Sequence, residues 1–106
     1  MDEQEFRARA DQSLNDLHRR LMAPSNEHGF DADFNSGALA IEFEAPSAKF
    51  VVSPNAPVRQ IWVSAHSKSF KLDWDAAREA FVAEGQTLAQ IVGEAISQQL
   101  GEPVNL

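Results

Sequence analysis

The sequence predicts an α+β fold: a two-layer α/β sandwich in which two helices pack on one face of an antiparallel sheet of five to six strands. Three observations predict it. An apolar stripe at helical spacing opens the chain, short alternating segments divided by turn residues fill its middle, and a second helical stripe with capping signals closes it. The order helix, meandering strands, helix implies hairpin connections. Those give antiparallel pairing with both helices gathered on one face. The other face is then left to solvent or to a partner. At 106 residues the chain holds a single domain, residues 1–106.

The first helix is predicted over about residues 3–22, because Phe6, Ala10, Leu14, Leu17 and Leu21 recur at steps of four and three. Pro24 lies just beyond and is expected to help stop it. Phe30, Ala32 and Phe34 alternate with Asp31 and Asp33, giving one buried face and one acidic face. Asn35-Ser36-Gly37 supplies residues that tolerate positive φ, as a tight hairpin requires. Leu39, Ile41 and Phe43 then alternate with Ala40, Glu42 and Glu44, and Pro46-Ser47 turns the chain. Phe50-Val51-Val52 reads as a short third strand, closed by Ser53-Pro54-Asn55-Ala56-Pro57. Residues 58–64 read as a fourth, with Ile61 and Val63 facing one way and Gln60, Trp62 and Ser64 the other. Phe70, Leu72 and Trp74 mark a fifth, and Ala80-Phe81-Val82 a short sixth. The second helix covers about residues 87–100, with Leu88, Ile91, Val92, Ala95 and Ile96 as its stripe. Thr87 and Gln90 have capping-box spacing, and Gly101 and Pro103 end the helix. The two helices should run roughly parallel, with Leu14, Leu17, Ile91 and Ala95 between the layers.

Composition narrows the function. Hydrophobic residues at 43% and charged residues at 24% describe a globular chain, not a disordered one. A net charge of -7 disfavours nucleic acid and a polybasic membrane contact. The absence of cysteine excludes disulfides, zinc fingers, thiol catalysis and thiolate-held clusters. The acidic start does not read as a signal peptide, and apolar runs such as Ala38-Leu39-Ala40-Ile41 are far below the ~20 residues of a membrane span. A cytoplasmic location and a monomer are therefore expected. The acid is concentrated at the two ends: residues 1–33 carry eight acids against four bases, and residues 75–106 five against one. No nucleophile elbow, phosphate loop or spaced His/Asp/Ser set is present, so an enzyme is not expected.

The residues resemble bacterial frataxins, the CyaY family, over nearly the whole chain. Glu5-Phe6 followed by Ala10-Asp11-Gln12 looks like the family's first helix, and Asn35-x-Gly37-x-Leu39-x-Ile41-x-Phe43-Glu44 like its first hairpin. Pro57-x-x-Gln60-Ile61-Trp62-Val63 resembles its sheet strand, and Ser97-Gln98-Gln99-x-Gly101-Glu102 its final helix and tail. The resemblance implies weak iron binding, ferrous or ferric, through surface carboxylates. It also implies docking on the cysteine desulfurase and the scaffold protein of iron–sulfur cluster assembly, with regulation of that assembly. Positions that match the family's acidic ridge and remain acidic are Asp11, Glu27, Asp31 and Asp33, with Glu3 and Glu5 at the start and Asp16 nearby on the same helix. Carboxylate oxygens suit iron of either charge.

The sequence departs from the family at His18-Arg19-Arg20-Leu21-Met22-Ala23, where acids are usual. Glu3–Arg7, Glu5–Arg9, Arg7–Asp11 and Asp16–Arg20 have i,i+4 spacing and can neutralise one another. Iron is therefore expected to centre on Asp31, Asp33 and Glu27. The alternatives are a ferroxidase-like handler or iron store, which wants more free carboxylates, and an acidic interaction module that has lost iron. His18, His28 and His66 show no compact ligand spacing, although His18 could share a site with Asp31 or Asp33. Trp62 is an apolar residue on the uncovered face, a candidate partner anchor together with Gln60 and Asn35.

Overall fold

In the computed structural model, which describes residues 1–44 and 46–106, helix α1 spans Glu3–His28. Its start is set by Asp2, whose carboxylate accepts from the Glu5 amide at 2.7 Å, with Glu3 and Glu5 adding acid to the first turn. The predicted stripe Phe6, Ala10, Leu14, Leu17 and Leu21 is buried. The helix does not stop before Pro24, which lies inside it. A proline there removes one amide from the helical ladder. The stop signal is Gly29, which takes a left-handed φ of 73° and donates its amide to the Ser25 carbonyl at 2.9 Å. Glu27 and His28 consequently belong to the last helical turn and not to a loop.

Among the described residues the sheet has seven antiparallel strands in simple chain order, with adjacent strands paired: β1 Asp31–Asn35, β2 Ala38–Glu44, β3 Ser47–Asn55, β4 Gln60–Ala65, β5 Lys68–Asp75, β6 Ala80–Ala83 and β7 Gln86–Thr87. The strand beyond the expected six is the two-residue β7, which pairs with β6 just before the second helix. The β1–β2 loop is the dipeptide Ser36-Gly37, with φ values of 53° and 85°, and Asn35 flanks it as the last residue of β1. Strand β3 runs through Ser53-Pro54-Asn55 rather than ending at Val52. Ala56–Val58 form a short 3-10 turn and Arg59 is left-handed at φ 56°, so β4 begins at Gln60 rather than at residue 58. Phe34 is 43% exposed, against the alternation that predicts it buried. It lies at the hairpin end of the edge strand, where the His18 ring packs on it at 5.1 Å between centroids.

One face of the sheet carries Leu39, Ile41, Phe43, Phe50, Val52, Ile61, Val63, Ala65, Leu72 and Phe81 into the core. Against it lie α1 and helix α2, Leu88–Leu100, with Leu14, Leu17, Ile91 and Ala95 all buried in the same cluster. Thr87 and Gln90 complete the capping box at the start of α2. The carboxyl ends of the two helices lie together: His28 Nδ1 stands 2.8 Å from Oε1 of Glu102, just past α2. The residues after α2 fold back along it. The Val104 amide donates to Ser97 Oγ at 2.8 Å, and that hydroxyl donates to the Gly93 carbonyl at 2.8 Å. Gly93 is a buried glycine within α2. A methyl group there would stand 3.5 Å from the Val104 carbonyl and 3.6 Å from Leu106 Cγ, ordinary contact distances. Gly93→Ala should therefore stabilise the domain by about 0.5–1 kcal/mol through helix propensity. A rise in the urea midpoint checks it; a fall would mean that the tail cannot give way at all.

Candidate functional site

Alternation along each strand leaves a second sheet face with no helix over it. Register defines its rows. Asp31 stands opposite Glu42, and Glu42 opposite Lys49. Asp33, Ala40, Val51, Ser64 and Ser69 make the next row. Ser53, Trp62 and Lys71 make another, and Asn55, Gln60 and Asp73 the last. The face therefore divides into an acidic edge on β1–β2 and a nearly neutral centre on β3–β5.

Trp62 stands at that centre, 39% exposed. Its indole Nε1–H donates to Gln60 Oε1 at 3.0 Å, and Gln60 Nε2 donates to Asp73 Oδ1 at 3.0 Å. Lys71 Nζ lies 5.0 Å from the centroid of the same ring. Beside the indole is a depression of about 250 Å³ lined by Val51, Ser53, Ser64, Ser69 and Lys71 with the ring itself. It exists because three small serines stand beside one large aromatic. The structure thus brings Gln60 into direct contact with Trp62. Asn35 shares their face but sits at the β1–β2 hairpin, three strands away, about 14 Å at the usual strand spacing. Trp74, by contrast, faces the core side, against Phe81 at 5.2 Å and under the Arg9 guanidinium at 4.8 Å.

The carboxylates expected to meet iron are spread over two elements. Asp31 and Asp33 project from β1 on the open face and are exposed. Glu27 is exposed on the last turn of α1, with Oε2 3.9 Å from His28 Nε2. Glu3 pairs with Arg7 at 3.4 Å and Glu5 with Arg9 at 3.9 Å, as the spacing predicts. Asp16 pairs with Arg19, one residue nearer than the Arg20 partner its spacing suggested. Asp11 is exposed and in no ion pair among the described residues. Among the described residues no three His, Asp or Glu side chains converge into a metal-ligating group. His18 is not aimed at the aspartates: its Nε2 lies 3.0 Å from the Ala32 carbonyl, so the ring covers the backbone of the edge strand.

Glu42 is the acid that sequence reading left out of this group. Its signal was present: a two-residue loop at Ser36-Gly37 fixes the pairing, and counting back from it sets Asp31 against Glu42. Two like charges directly opposed on an open face repel. A cation between them would relieve that repulsion. Glu42→Gln removes the repulsion from Asp31 together with the attraction to Lys49 on its other side, so folding stability without metal should change by less than about 1 kcal/mol. It should also weaken perturbation of Asp31 and Asp33 backbone resonances by ferrous iron. An unchanged iron response would separate Glu42 from the aspartates.

A family model described as Frataxin-like domain matches residues 1–102. The chain is also similar to a solved structure of frataxin from Psychromonas ingrahamii, described as a model for stability modulation within the CyaY protein family. The two are 25% identical, with a TM-score of 0.75, over 99% of this chain and 97% of that one.

Proposed function

The chain belongs to the frataxin-like family, a family of iron-handling and generally non-enzymatic proteins, and on that premise we propose that it is an iron-binding regulator of iron–sulfur cluster assembly. Its partners are a cysteine desulfurase and the scaffold protein on which clusters form, and iron is its cargo. The observation that carries this reading is Trp62. An indole whose N–H is satisfied inside the chain, on a helix-free sheet face beside an apolar depression, has the character of a docking anchor. The acidic edge formed by Asp31, Asp33 and Glu42 supplies a second, electrostatic contact and takes iron weakly through exposed oxygens. Pairing of Glu3, Glu5 and Asp16 with arginines leaves those three a minor share, while Glu27, exposed on the last turn of α1, joins the aspartates. That same pairing disfavours the ferroxidase or storage alternative, which needs a dense group of free carboxylates. The proposed location is the cytoplasm. Among the described residues no helix is long and apolar enough to cross a membrane.

A pull-down with cysteine desulfurase, with and without ferrous iron, tests the reading. Capture supports it, and no capture under either condition counts against it. A charge reversal resolves the electrostatic contact. Asp31→Lys with Asp33→Lys removes attraction and adds repulsion, so association with the desulfurase should slow and its dependence on salt should shrink. Stopped-flow association at two salt concentrations reads both quantities. An unchanged rate would place the desulfurase contact elsewhere on the chain.

A further inference from the structure

We propose that Asp73 is a positioning residue for the docking face, acting through Gln60 to fix the indole of Trp62; this rests on the docking reading above. Donors and acceptors set the arrangement. A primary amide can sit in either of two orientations related by a flip, and only its partners decide between them. An ionised carboxylate only accepts. Asp73, directly across from Gln60 in the β4–β5 register, therefore takes the Gln60 NH₂ at 3.0 Å. That leaves Gln60 Oε1 turned toward the indole N–H, which it accepts at 3.0 Å. The direction of the whole chain of bonds, Trp62 to Gln60 to Asp73, is fixed from both ends, by the donor-only indole and by the acceptor-only carboxylate that anchors the amide. Asp73 is in no ion pair among the described residues. With Gln60 on one side and Lys71 at 5.0 Å on its ring, the indole is held as one wall of the depression over Val51, Ser53, Ser64 and Ser69. A wall fixed before binding spares the partner the ordering of a large side chain. Asp73 touches no partner in this account; its effect passes entirely through the amide.

The test reads the indole directly. In Asp73→Ala, the Trp62 indole proton–nitrogen resonance, assigned by its loss in Trp62→Phe, should shift, while that of Trp74 stays in place. Affinity for the scaffold protein should fall about threefold to tenfold, the worth of one intramolecular hydrogen bond. Asp73→Asn retains an acceptor oxygen and should restore the native indole signal. Asp73→Ala added to Gln60→Ala should cost nothing more than Gln60→Ala alone. The proposal is overturned if the Trp62 signal does not move in Asp73→Ala, or if the two substitutions weaken binding additively. Movement of the indole as expected, with scaffold binding indifferent even to Trp62→Ala, would uphold the positioning role and remove the docking reading instead.

Discussion

Phe6→Ala should cost about 3–5 kcal/mol of folding stability, the largest loss expected from any substitution considered. Phe6 is fully buried and meets Phe81 edge to face, with 5.8 Å between ring centroids and 89° between planes. Phe81 in turn packs against Trp74 at 5.2 Å, and Arg9 lies over that tryptophan. Removing the Phe6 ring thus opens a cavity where α1 is attached to β6 and β5, and leaves Phe81 without its edge contact. A domain of this size has about 5–15 kcal/mol in total, so the variant should approach the limit of stable folding. Urea denaturation gives the number. A loss under about 1.5 kcal/mol would mean that the layers close over the gap, and that α1 is held to the sheet mainly elsewhere.

Trp62→Ala should have the opposite profile. Folding stability should fall by only about 1 kcal/mol, the worth of the indole's hydrogen bond to Gln60 and its contact with Lys71, well below the loss from Phe6→Ala. Binding to the scaffold protein should weaken by about 1–3 kcal/mol, because the substitution removes a large exposed aromatic on the open face and one wall of the depression beside it. No charge is lost, so the salt dependence of binding should stay as it was. Calorimetric titration at two salt concentrations separates the terms. A loss of stability comparable to that of Phe6→Ala would mean that Trp62 is a structural residue, and the anchor would have to be sought elsewhere.

The contrast between these two aromatics was legible in sequence, because both lie in segments of strong period. Phe6 belongs to a stripe repeated five times along α1, and Trp62 alternates against Ile61 and Val63 within one strand. What periodicity did not reveal was the local exceptions. Pro24 carries a helix-stop signal, yet one missing amide is tolerated inside a helix whose stripe is buried and whose true end is fixed by Gly29. Phe34 fits the buried parity of β1, but parity does not report how fully an edge strand is covered, and at its hairpin end Phe34 stays exposed beside the His18 ring. Pro54 reads as a strand terminator, and strand β3 nonetheless continues through it to Asn55.

The site was legible in kind and less so in membership. Gln60 and Trp62 were placed on one face by alternation, and Asn35 was grouped with them through the family resemblance. The partners of the first two, Asp73 and Lys71, come from β5, and their positions depend on the register of the Ala65–Lys68 hairpin. His66 and Ser67 turn that hairpin with φ of 50° and 64°, values uncommon for non-glycine residues, so no Asn-Gly signal announced the turn. Glu42 was within reach of the same reasoning, since the Ser36-Gly37 hairpin does announce itself. Among the first-helix acids, spacing found the Glu3 and Glu5 pairs but missed that Asp16 takes Arg19 at i,i+3. Both spacings bring side chains together on a helix, and sequence does not choose between them.

The central claim is that this chain carries two physically distinct docking surfaces, an apolar one around Trp62 and an acidic one around Asp31 and Asp33. Equilibrium binding of the native chain, Trp62→Ala, and the Asp31→Lys/Asp33→Lys pair to isolated scaffold protein and to isolated cysteine desulfurase tests it most directly. The account predicts that Trp62→Ala loses affinity for the scaffold and keeps it for the desulfurase, while the double lysine variant does the reverse. It is contradicted if the native chain binds neither protein with or without ferrous iron, or if both variants lose both partners alike.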